Sequence, residues 1–246
     1  MIRDTTMFLA DHNISDFSSD FKLYHKVVLG SERSRHTYAR RLNTIDELCE
    51  SLRGKRVLDL GCGYGFRTMG IAKKGAEHVI GIDQDTARIR EGQSFAEKSQ
   101  IKNVRFAVMD AVRTEFNDES FDVVVADEMI HHVDNVDKVL KEMIRVTRKG
   151  GRIIISDHNK WSIMSEMVRL ARFGKERAKL FSPKEIAYLF DELSLRDIVY
   201  KYIIFTIPFS ATPDIILRLN YRIENIIEHL PLLRAQCGVY VVRGIK

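Results

Sequence analysis

Residues 57–65 read Val-Leu-Asp-Leu-Gly-Cys-Gly-Tyr-Gly, and this stretch decides the fold. An apolar run containing an acid is followed by three glycines spaced two residues apart. Glycine has no Cβ and reaches positive φ at little cost, so this spacing lets the chain turn tightly and bring its backbone N–H groups close to a ligand. The stretch predicts a strand followed by a turn that binds a nucleotide-like ligand.

The glycine spacing argues against two common nucleotide sites. The dinucleotide motif G-x-G-x-x-G requires a glycine at position 66, where this chain has Phe66. A phosphate-binding P-loop ends in Gly-Lys-Ser or Gly-Lys-Thr, but Gly65 is followed by Phe66 and Arg67. The carboxylate of Asp59 would repel a pyrophosphate and attract a ligand that carries an ammonium or sulfonium group.

Two further acids end the next two apolar runs. Asp83 ends residues 78–83, and its carboxylate can accept hydrogen bonds from both hydroxyls of a ribose. Asp110 ends residues 104–110 and can accept the exocyclic amine of an adenine. A positive charge, a ribose and an adenine together describe S-adenosylmethionine.

Five segments of the sequence match the motifs of a known family, in the family's order. They read VLDLGCGYG (57–65), GIDQD (81–85), VMDA (108–111), FDVVVADEMIHHVDN (121–135) and RVTRKGGRIIISD (145–157). The chain resembles the class I S-adenosylmethionine-dependent methyltransferases, and more narrowly their small-molecule branch, the type 11-like methyltransferases. The resemblance covers about residues 55–157 strongly and the rest weakly. Five ordered motifs are more specific than a glycine turn alone.

The resemblance implies which residues hold the cofactor, S-adenosyl-L-methionine, and its product, S-adenosyl-L-homocysteine. The methionine part of the cofactor would be lined by Asp59, Gly61 and Gly63. The ribose would be bound by Asp83, and the adenine would be held by Asp110 and Ala111. The candidate cofactor-binding set is completed by four more residues of these motifs: Cys62, Gly65, Gln84 and Asp127.

The periodicity of the chain predicts an α/β fold, a doubly wound, Rossmann-like, mostly parallel sheet with helices on both faces. The predicted strands are residues 55–60, 78–83, 104–109, 121–126, 151–156, 198–207 and 238–243. The predicted helices include residues 31–52, 136–147, 162–173, 183–193 and 213–230, and another that begins at Thr86 with Asp85 as its cap. We expect one domain, residues 1–246, with an N-terminal helical cap (1–54), a cofactor-binding core (55–157) and substrate-side helices with the last two strands (158–246).

Candidate catalytic residues follow the fourth predicted strand. Holding two reactants in line can lower a barrier by about 7 to 11 kcal/mol without a catalytic side chain. A hydroxyl or protonated amine as nucleophile needs a base as well, and histidine is the usual base near neutral pH. His131 and His132 are the candidates, although family members often carry a histidine at His132 in a framework role. Asp157 and His158 follow the fifth strand, where a solvated turn is the plainer interpretation.

The same strand end argues against one substrate class. Methyltransferases that act on adenine amines, cytosine amines or glutamine typically carry an Asn- or Asp-Pro-Pro-aromatic run here, whereas this chain has Ala126, Asp127, Glu128 and Met129. Methyl transfer to an oxygen, nitrogen or carbon of a small-molecule acceptor is the main prediction. An RNA methyltransferase and a cofactor-binding but inactive partner subunit are the alternatives, and the sequence leaves the oligomeric state open.

Composition limits the classes of protein to which the chain can belong. The 246 residues include no apolar run approaching the roughly 18 that a membrane helix needs, and residues 1–19 lack a basic-then-apolar signal pattern, so we expect a cytoplasmic protein without a transmembrane segment. The three cysteines (Cys49, Cys62 and Cys237) are unclustered, so neither a disulfide framework nor a metal site is predicted. Cys62 is interpreted as a small residue chosen for its fit.

The net charge is +5, and the basic excess is uneven. Residues 22–56 contain nine Lys and Arg against four Asp and Glu, and residues 160–184 contain seven against two. Solvated helix faces are the plainer interpretation, with an anionic substrate, nucleic acid or lipid surface as the alternative. Residues 164–173 form a basic amphipathic pattern that could cap the pocket or make peripheral contact with a membrane. Tyr24 is predicted to form a wall of the pocket.

Overall fold

Seven strands form one sheet in the computed structural model, which describes residues 7–163, 166, 179–205, 221, 223–224, 226–231 and 233–246. The strands are β1 (Arg56–Leu60), β2 (His78–Asp83), β3 (Val104–Val108), β4 (Phe121–Asp127), β5 (Thr147–His158), β6 (Arg196–Ile203) and β7 (Val239–Ile245). Their order across the sheet is β3-β2-β1-β4-β5-β7-β6.

The sheet is parallel except for one strand. β7 pairs antiparallel with both β5 and β6, and the other four strand pairs are parallel. The chain runs outward from β1 to β2 and β3, and then returns to place β4 on the other side of β1. In an open α/β sheet this reversal creates a ligand crevice at the carboxyl ends of the strands. The predicted doubly wound fold is confirmed.

Six helices of eight or more residues fall within the described ranges. They are α1 (Ser19–Leu29), α2 (Glu32–Leu48), α3 (Phe66–Lys73), α4 (Thr86–Lys98), α5 (Val136–Val146) and α6 (Pro183–Glu192), with short 3₁₀ helices at Ile130–His132 and Arg234–Gln236. The predicted cap Asp85 is confirmed, because its side chain accepts hydrogen bonds from the N–H groups of Ala87 and Arg88. At the start of α6, Ser182 forms a capping box with Glu185. The helix predicted over residues 31–52 ends earlier, at Leu48.

Alternate residues of each central strand point to opposite faces, and each face carries its own apolar cluster. In β4, Val123 and Val125 belong to the cluster covered by α1 to α4, whereas Val124 and Ala126 belong to the cluster covered by α5 and α6. All four side chains are fully buried. Burial on both faces explains the nearly continuous apolar sequence of the central strands.

Several predictions fall on residues outside the described ranges. The predicted helices 162–173 and 213–230, including the amphipathic segment 164–173, lie partly or largely there, as do the last residues of the strand predicted over 198–207. Within the described ranges, no helix combines the length and apolarity that crossing a bilayer requires.

Candidate functional site

A cavity of about 880 Å³ lies at the carboxyl ends of the parallel strands. Nine of the ten predicted cofactor residues line it: Asp59, Gly61, Cys62, Gly63, Asp83, Gln84, Asp110, Ala111 and Asp127. Both candidate bases, His131 and His132, also line it, and so do Tyr24 and His158. The topology therefore brings the predicted cofactor residues and bases to one site.

Two glycines of the motif, Gly65 and Gly63, have different structural roles. Gly65, the tenth predicted residue, caps α3 at a φ of 75°, and a Cβ there would lie 2.2 Å from Cε1 of Phe106. Gly65 is thus required by packing against Phe106. Gly63 lies in the cavity wall at a φ of 55°, and a Cβ there would meet no atom within 4 Å. The space in front of Gly63 is open to a ligand.

Asp83 fixes the glycine turn to the end of β2. Its Oδ2 accepts a hydrogen bond from the Gly63 N–H at 2.9 Å, and its Oδ1 accepts one from the Asp85 N–H at 2.9 Å. Asp110 is held in a similar way, because its Oδ1 accepts from the Val112 N–H at 2.9 Å. Each carboxylate offers about four acceptor sites, so these backbone bonds leave capacity for a ligand's hydroxyl or amine groups.

Asp59 is almost fully buried, and its neighbour Thr68 donates a hydrogen bond to its Oδ2 at 2.7 Å. Burial raises the pKa of the Asp59 carboxyl to about 7, since desolvation disfavours the charged form. Burial also raises the pKa of the Cys62 thiol well above its usual value, and the nearby carboxyls of Asp59 and Asp83 add to the effect. The Cys62 side chain is therefore a protonated packing group near neutral pH, as predicted.

His131 is tied to Asp157 through both its backbone and its ring. Its N–H donates to Asp157 Oδ2 at 3.1 Å, and its Nδ1 lies 2.6 Å from Asp157 Oδ1. Burial lowers the pKa of the His131 imidazole, but the hydrogen bond with Asp157 and the charges of Asp157 and Glu128 together raise it by more, so this pKa lies above its usual value. The pKa of His132 is lowered by burial and by the His131 ring, whose centroid is 3.9 Å away. The two histidines therefore differ in basicity.

A four-charge cluster of Arg41, Arg67, Asp127 and Glu128 stands at the end of β4. Asp127 Oδ1 accepts from Arg41 Nη1 at 3.0 Å, and its Oδ2 accepts from Arg67 Nε at 2.7 Å. Arg41 Nη2 lies 3.0 Å from Glu128 Oε1. Burial raises the pKa of the Asp127 carboxyl, but the two arginines lower it by more. Asp127, predicted to bind the cofactor, engages both carboxylate oxygens with these arginines.

Sequence reasoning missed three members of this cluster: Arg41, Arg67 and Glu128. One signal for Arg41 was present, because it lies three residues after Tyr38 and four before Ile45, on the buried stripe of α2. A charged residue on an apolar stripe needs a buried partner of opposite charge. That partner, Asp127, lies 86 residues further along the chain.

Tyr24 lines the cavity, as predicted. Its ring stacks on Phe66 with a centroid distance of 5.7 Å and an interplanar angle of 7°, and its centroid lies 5.2 Å from that of Tyr64. Burial raises the pKa of the Tyr24 hydroxyl, and the carboxylates of Glu128 and Asp127 raise it further. The N-terminal helix α1 therefore contributes an aromatic wall to the cavity.

A family model described as a methyltransferase domain matches residues 51–193, which is more than half of the chain. The chain belongs to this family. Membership confirms the resemblance to class I S-adenosylmethionine-dependent methyltransferases, and with it the cofactor of the family, S-adenosylmethionine. The open space at Gly63 and the carboxylates of Asp59, Asp83 and Asp110 in one wall fit such a cofactor.

One curated relative and one solved structure illustrate what this methyltransferase is similar to. A ubiquinone biosynthesis O-methyltransferase of Acinetobacter baumannii is 32% identical over 121 residues, covering 49% of this chain and 51% of that protein. The chain thus spans about half the length of the curated relatives it matches. A Thermotoga maritima structure, described as a possible histamine N-methyltransferase, has a TM-score of 0.68 at 18% identity and covers 98% of this chain and 99% of its own.

A third similar protein was solved with ligands. Phosphoethanolamine N-methyltransferase 2 of Haemonchus contortus, in complex with phosphomonomethylethanolamine and S-adenosylhomocysteine, has a TM-score of 0.60 at 21% identity. The match covers 84% of this methyltransferase and 52% of that chain. At such identities these two structures establish the shared fold.

Proposed function

We propose that this chain is an S-adenosylmethionine-dependent enzyme that methylates an oxygen, nitrogen or carbon atom of a small molecule. One observation carries the proposal: a single cavity of about 880 Å³ is lined both by the glycine turn with its carboxylates and by the two histidines. A volume of this order accommodates a cofactor with a small acceptor.

The cofactor is assigned to the residues of the glycine turn and the neighbouring strand ends. Asp59, Gly61 and Gly63 would hold its methionine part, Asp83 its ribose, and Asp110 with Ala111 its adenine. When bound, the cofactor supplies a methyl group on a sulfonium, which passes to a nucleophilic atom of the acceptor. The protein's contribution is to hold acceptor and cofactor in line and to exclude water.

His131 is the favoured base. Its Nδ1 faces Asp157, so the tautomer with a proton on Nδ1 leaves Nε2 to accept the proton that the acceptor loses as its bond to the methyl carbon forms. The carboxylate of Asp157 would then stabilise the imidazolium. His132 is the second candidate, and its lowered pKa keeps it neutral near neutral pH, although it makes it the weaker base.

A small acceptor is favoured over RNA for two reasons. The relatives at 32% identity are small-molecule O-methyltransferases by name, and small-molecule N-methyltransferases share the fold. The basic run at residues 22–56 is also partly neutralised within the protein, since Arg41 is buried against Asp127 and Arg40 pairs with Glu228. The three-part division of the chain and its cytoplasmic location stay predictions.

The test is incubation of the protein with methyl-labelled S-adenosylmethionine and a cell extract divided into low-molecular-mass, RNA and protein fractions. We expect label in the low-molecular-mass fraction, and Asp83→Ala should reduce it by weakening cofactor binding at least about 10-fold. Label in RNA would favour the nucleic-acid alternative. Calorimetric binding of the cofactor without label in any fraction would favour an inactive partner subunit.

A further inference from the structure

Glu128 is the most exposed member of the four-charge cluster and lines the cavity. The cluster holds two positive and two negative side chains and is neutral as a whole. The side chains of Arg41, Asp127 and Arg67 are 2%, 6% and 10% exposed, whereas that of Glu128 is 41% exposed. A cluster that is neutral as a whole therefore presents mainly a carboxylate to the cavity, because Arg41 does not line it and Arg67, which does, is only 10% exposed.

The Glu128 carboxylate is held in place from two sides. Arg41 Nη2 and His158 Nε2 lie 3.0 Å and 3.2 Å from the same oxygen, Oε1. The backbone of Glu128 is also fixed, with a left-handed φ of 55° and its N–H donating to the carbonyl of Ser156 at 2.8 Å. A side chain anchored in this way is oriented before a ligand arrives, which reduces the cost of binding.

The carboxylate is charged across the neutral range. Packing around the partly exposed Glu128 carboxyl raises its pKa by desolvation, but Arg41, His158 and Arg67 together lower it by more, so this pKa lies well below its usual value. Such a group is too weak a base to remove a proton from an acceptor. It can instead hold a positive charge or a hydrogen-bond donor.

The rest of the cavity wall favours a cation. Among the described residues that line it, apart from Glu128, five are acidic and three are Lys or Arg. Arg67 is bound to Asp127 at 2.7 Å, and Arg88 lies 3.3 Å from Asp85. An anionic acceptor would therefore meet mainly repulsion, and burying a neutral apolar one against Glu128 would leave a carboxylate poorly solvated.

Tyr24 adds a second, independent feature that suits a cation. Its ring lines the same cavity as Glu128 and is fixed by stacking on Phe66. The face of an aromatic ring attracts an organic cation, most strongly where water is displaced. A carboxylate and an aromatic wall in one cavity are a complementary pair for a substituted ammonium group.

We propose that Glu128 determines substrate specificity by binding a positively charged nitrogen of the acceptor, with Tyr24 as the adjoining wall, and that the acceptor is therefore a small organic amine. This inference rests on the proposed small-molecule methyltransferase function and names its substrate class. Glu128 holds the charge of the acceptor, and the base remains a separate residue.

The first test uses the wild-type protein and the charge of its product. The labelled product is first separated from unreacted S-adenosylmethionine, which is itself a cation, and is then passed over a cation exchanger at a pH slightly below neutral. Retention of the labelled product is expected, because an amine stays cationic after methylation. Label in the flow-through would overturn the amine assignment while leaving the proposed function standing. No label in any small molecule would overturn the proposed function and this inference with it.

The second test compares Glu128→Gln with Glu119→Gln. Glu119 also has a left-handed φ, 56°, but precedes β4 at its opposite end, so both variants make the same chemical change in similar backbone conformations. In Glu128→Gln the amount of low-molecular-mass fraction that gives half-maximal rate should rise at least about 10-fold, through loss of a charge-assisted bond. The KM for S-adenosylmethionine should stay within about twofold, and Glu119→Gln should change neither value.

An unchanged half-saturation in Glu128→Gln would contradict the role of this carboxylate. Binding of S-adenosylhomocysteine by calorimetry shows whether the variant is folded. Should Glu128→Gln lose that binding, the retention or flow-through of the wild-type product decides the amine assignment, because that measurement needs no variant.

Discussion

The side of the cavity that we propose binds the cofactor, at the glycine turn, and the side that we propose binds the acceptor, at the end of β4, are built in different ways. On the cofactor side, Asp83 and Asp110 accept hydrogen bonds from three backbone N–H groups, two of which lie only two residues away. On the acceptor side, the bonds join distant side chains, such as Arg41 to Asp127 and His131 to Asp157. The cofactor side therefore depends largely on local sequence, whereas the acceptor side depends on the tertiary packing of charged side chains.

Removing Arg41 should have the largest effect on the acceptor side. Arg41→Met leaves Glu128 without its buried partner and Asp127 with one arginine, so we expect a loss of about 3 kcal/mol or more in the free energy of unfolding. Arg148→Met removes a similar ion pair with Asp122, but Arg148 is 48% exposed. Its loss should lower the free energy of unfolding by less than about 1 kcal/mol. Urea denaturation measures both, and equal losses would erase the distinction between buried and exposed pairs.

Replacing His131 should have the next largest effect, a loss of turnover. If it is the base, His131→Gln should lower kcat about 100-fold or more, with S-adenosylhomocysteine affinity within about twofold of wild type. His132→Gln serves as the neighbouring control, and a larger loss there would move the base to His132.

The pH profile separates a base from a framework residue. Asp157 raises the pKa of His131, and the neutral ring is the active form, so the rate should rise with pH through that raised pKa. Asp157→Asn removes the carboxylate that stabilises the imidazolium and should move this acid limb to lower pH. If the acid limb of the pH–rate profile does not move in Asp157→Asn, the limb belongs to a group other than His131.

Gly63 tests the cofactor side with a matched control. Gly63→Ala places a Cβ in the open space of the cavity wall and should weaken S-adenosylhomocysteine binding at least about 10-fold, with a stability cost of about 1 to 2 kcal/mol from positive φ. Gly150 has a φ of 72° and the same open surroundings but does not line the cavity. Gly150→Ala should lose the same amount of stability through backbone strain, but its affinity for S-adenosylhomocysteine, measured by calorimetry, should not change.

Asp59 should give a smaller, pH-dependent effect. Its carboxyl, near Asp127, Arg67 and Asp83, has a pKa of about 7, so it is largely protonated below that pH and ionised above it. A cationic cofactor favours the ionised form, so S-adenosylmethionine affinity should rise about 5- to 10-fold from pH 6 to pH 7.5, with release of a proton. Calorimetry in two buffers of different ionisation enthalpy measures both changes. The rise should vanish in Asp59→Asn, and its persistence there would assign it to another group.

The fold, the family, the carboxyl ends of β1 and β2 and the placement of nine of the ten predicted cofactor residues in one wall all followed from the amino-acid sequence. This was accessible because glycine spacing, strand periodicity and helix caps are local properties. At Gly65 the local pattern was not sufficient, because the clash that a Cβ would make is with Phe106 of β3, which is distant in sequence.

Only the tertiary structure decided how the acceptor side is charged. Whether a carboxylate binds a ligand or an arginine depends on which residues the fold brings within 3 Å or so and on how far each is buried, and neither follows from spacing along the chain. Asp127 and Glu128 are neighbours in sequence, yet the first is buried against two arginines while the second opens onto the cavity. Coulomb energy and desolvation act through space, so folding alone assigns these two acids their different roles.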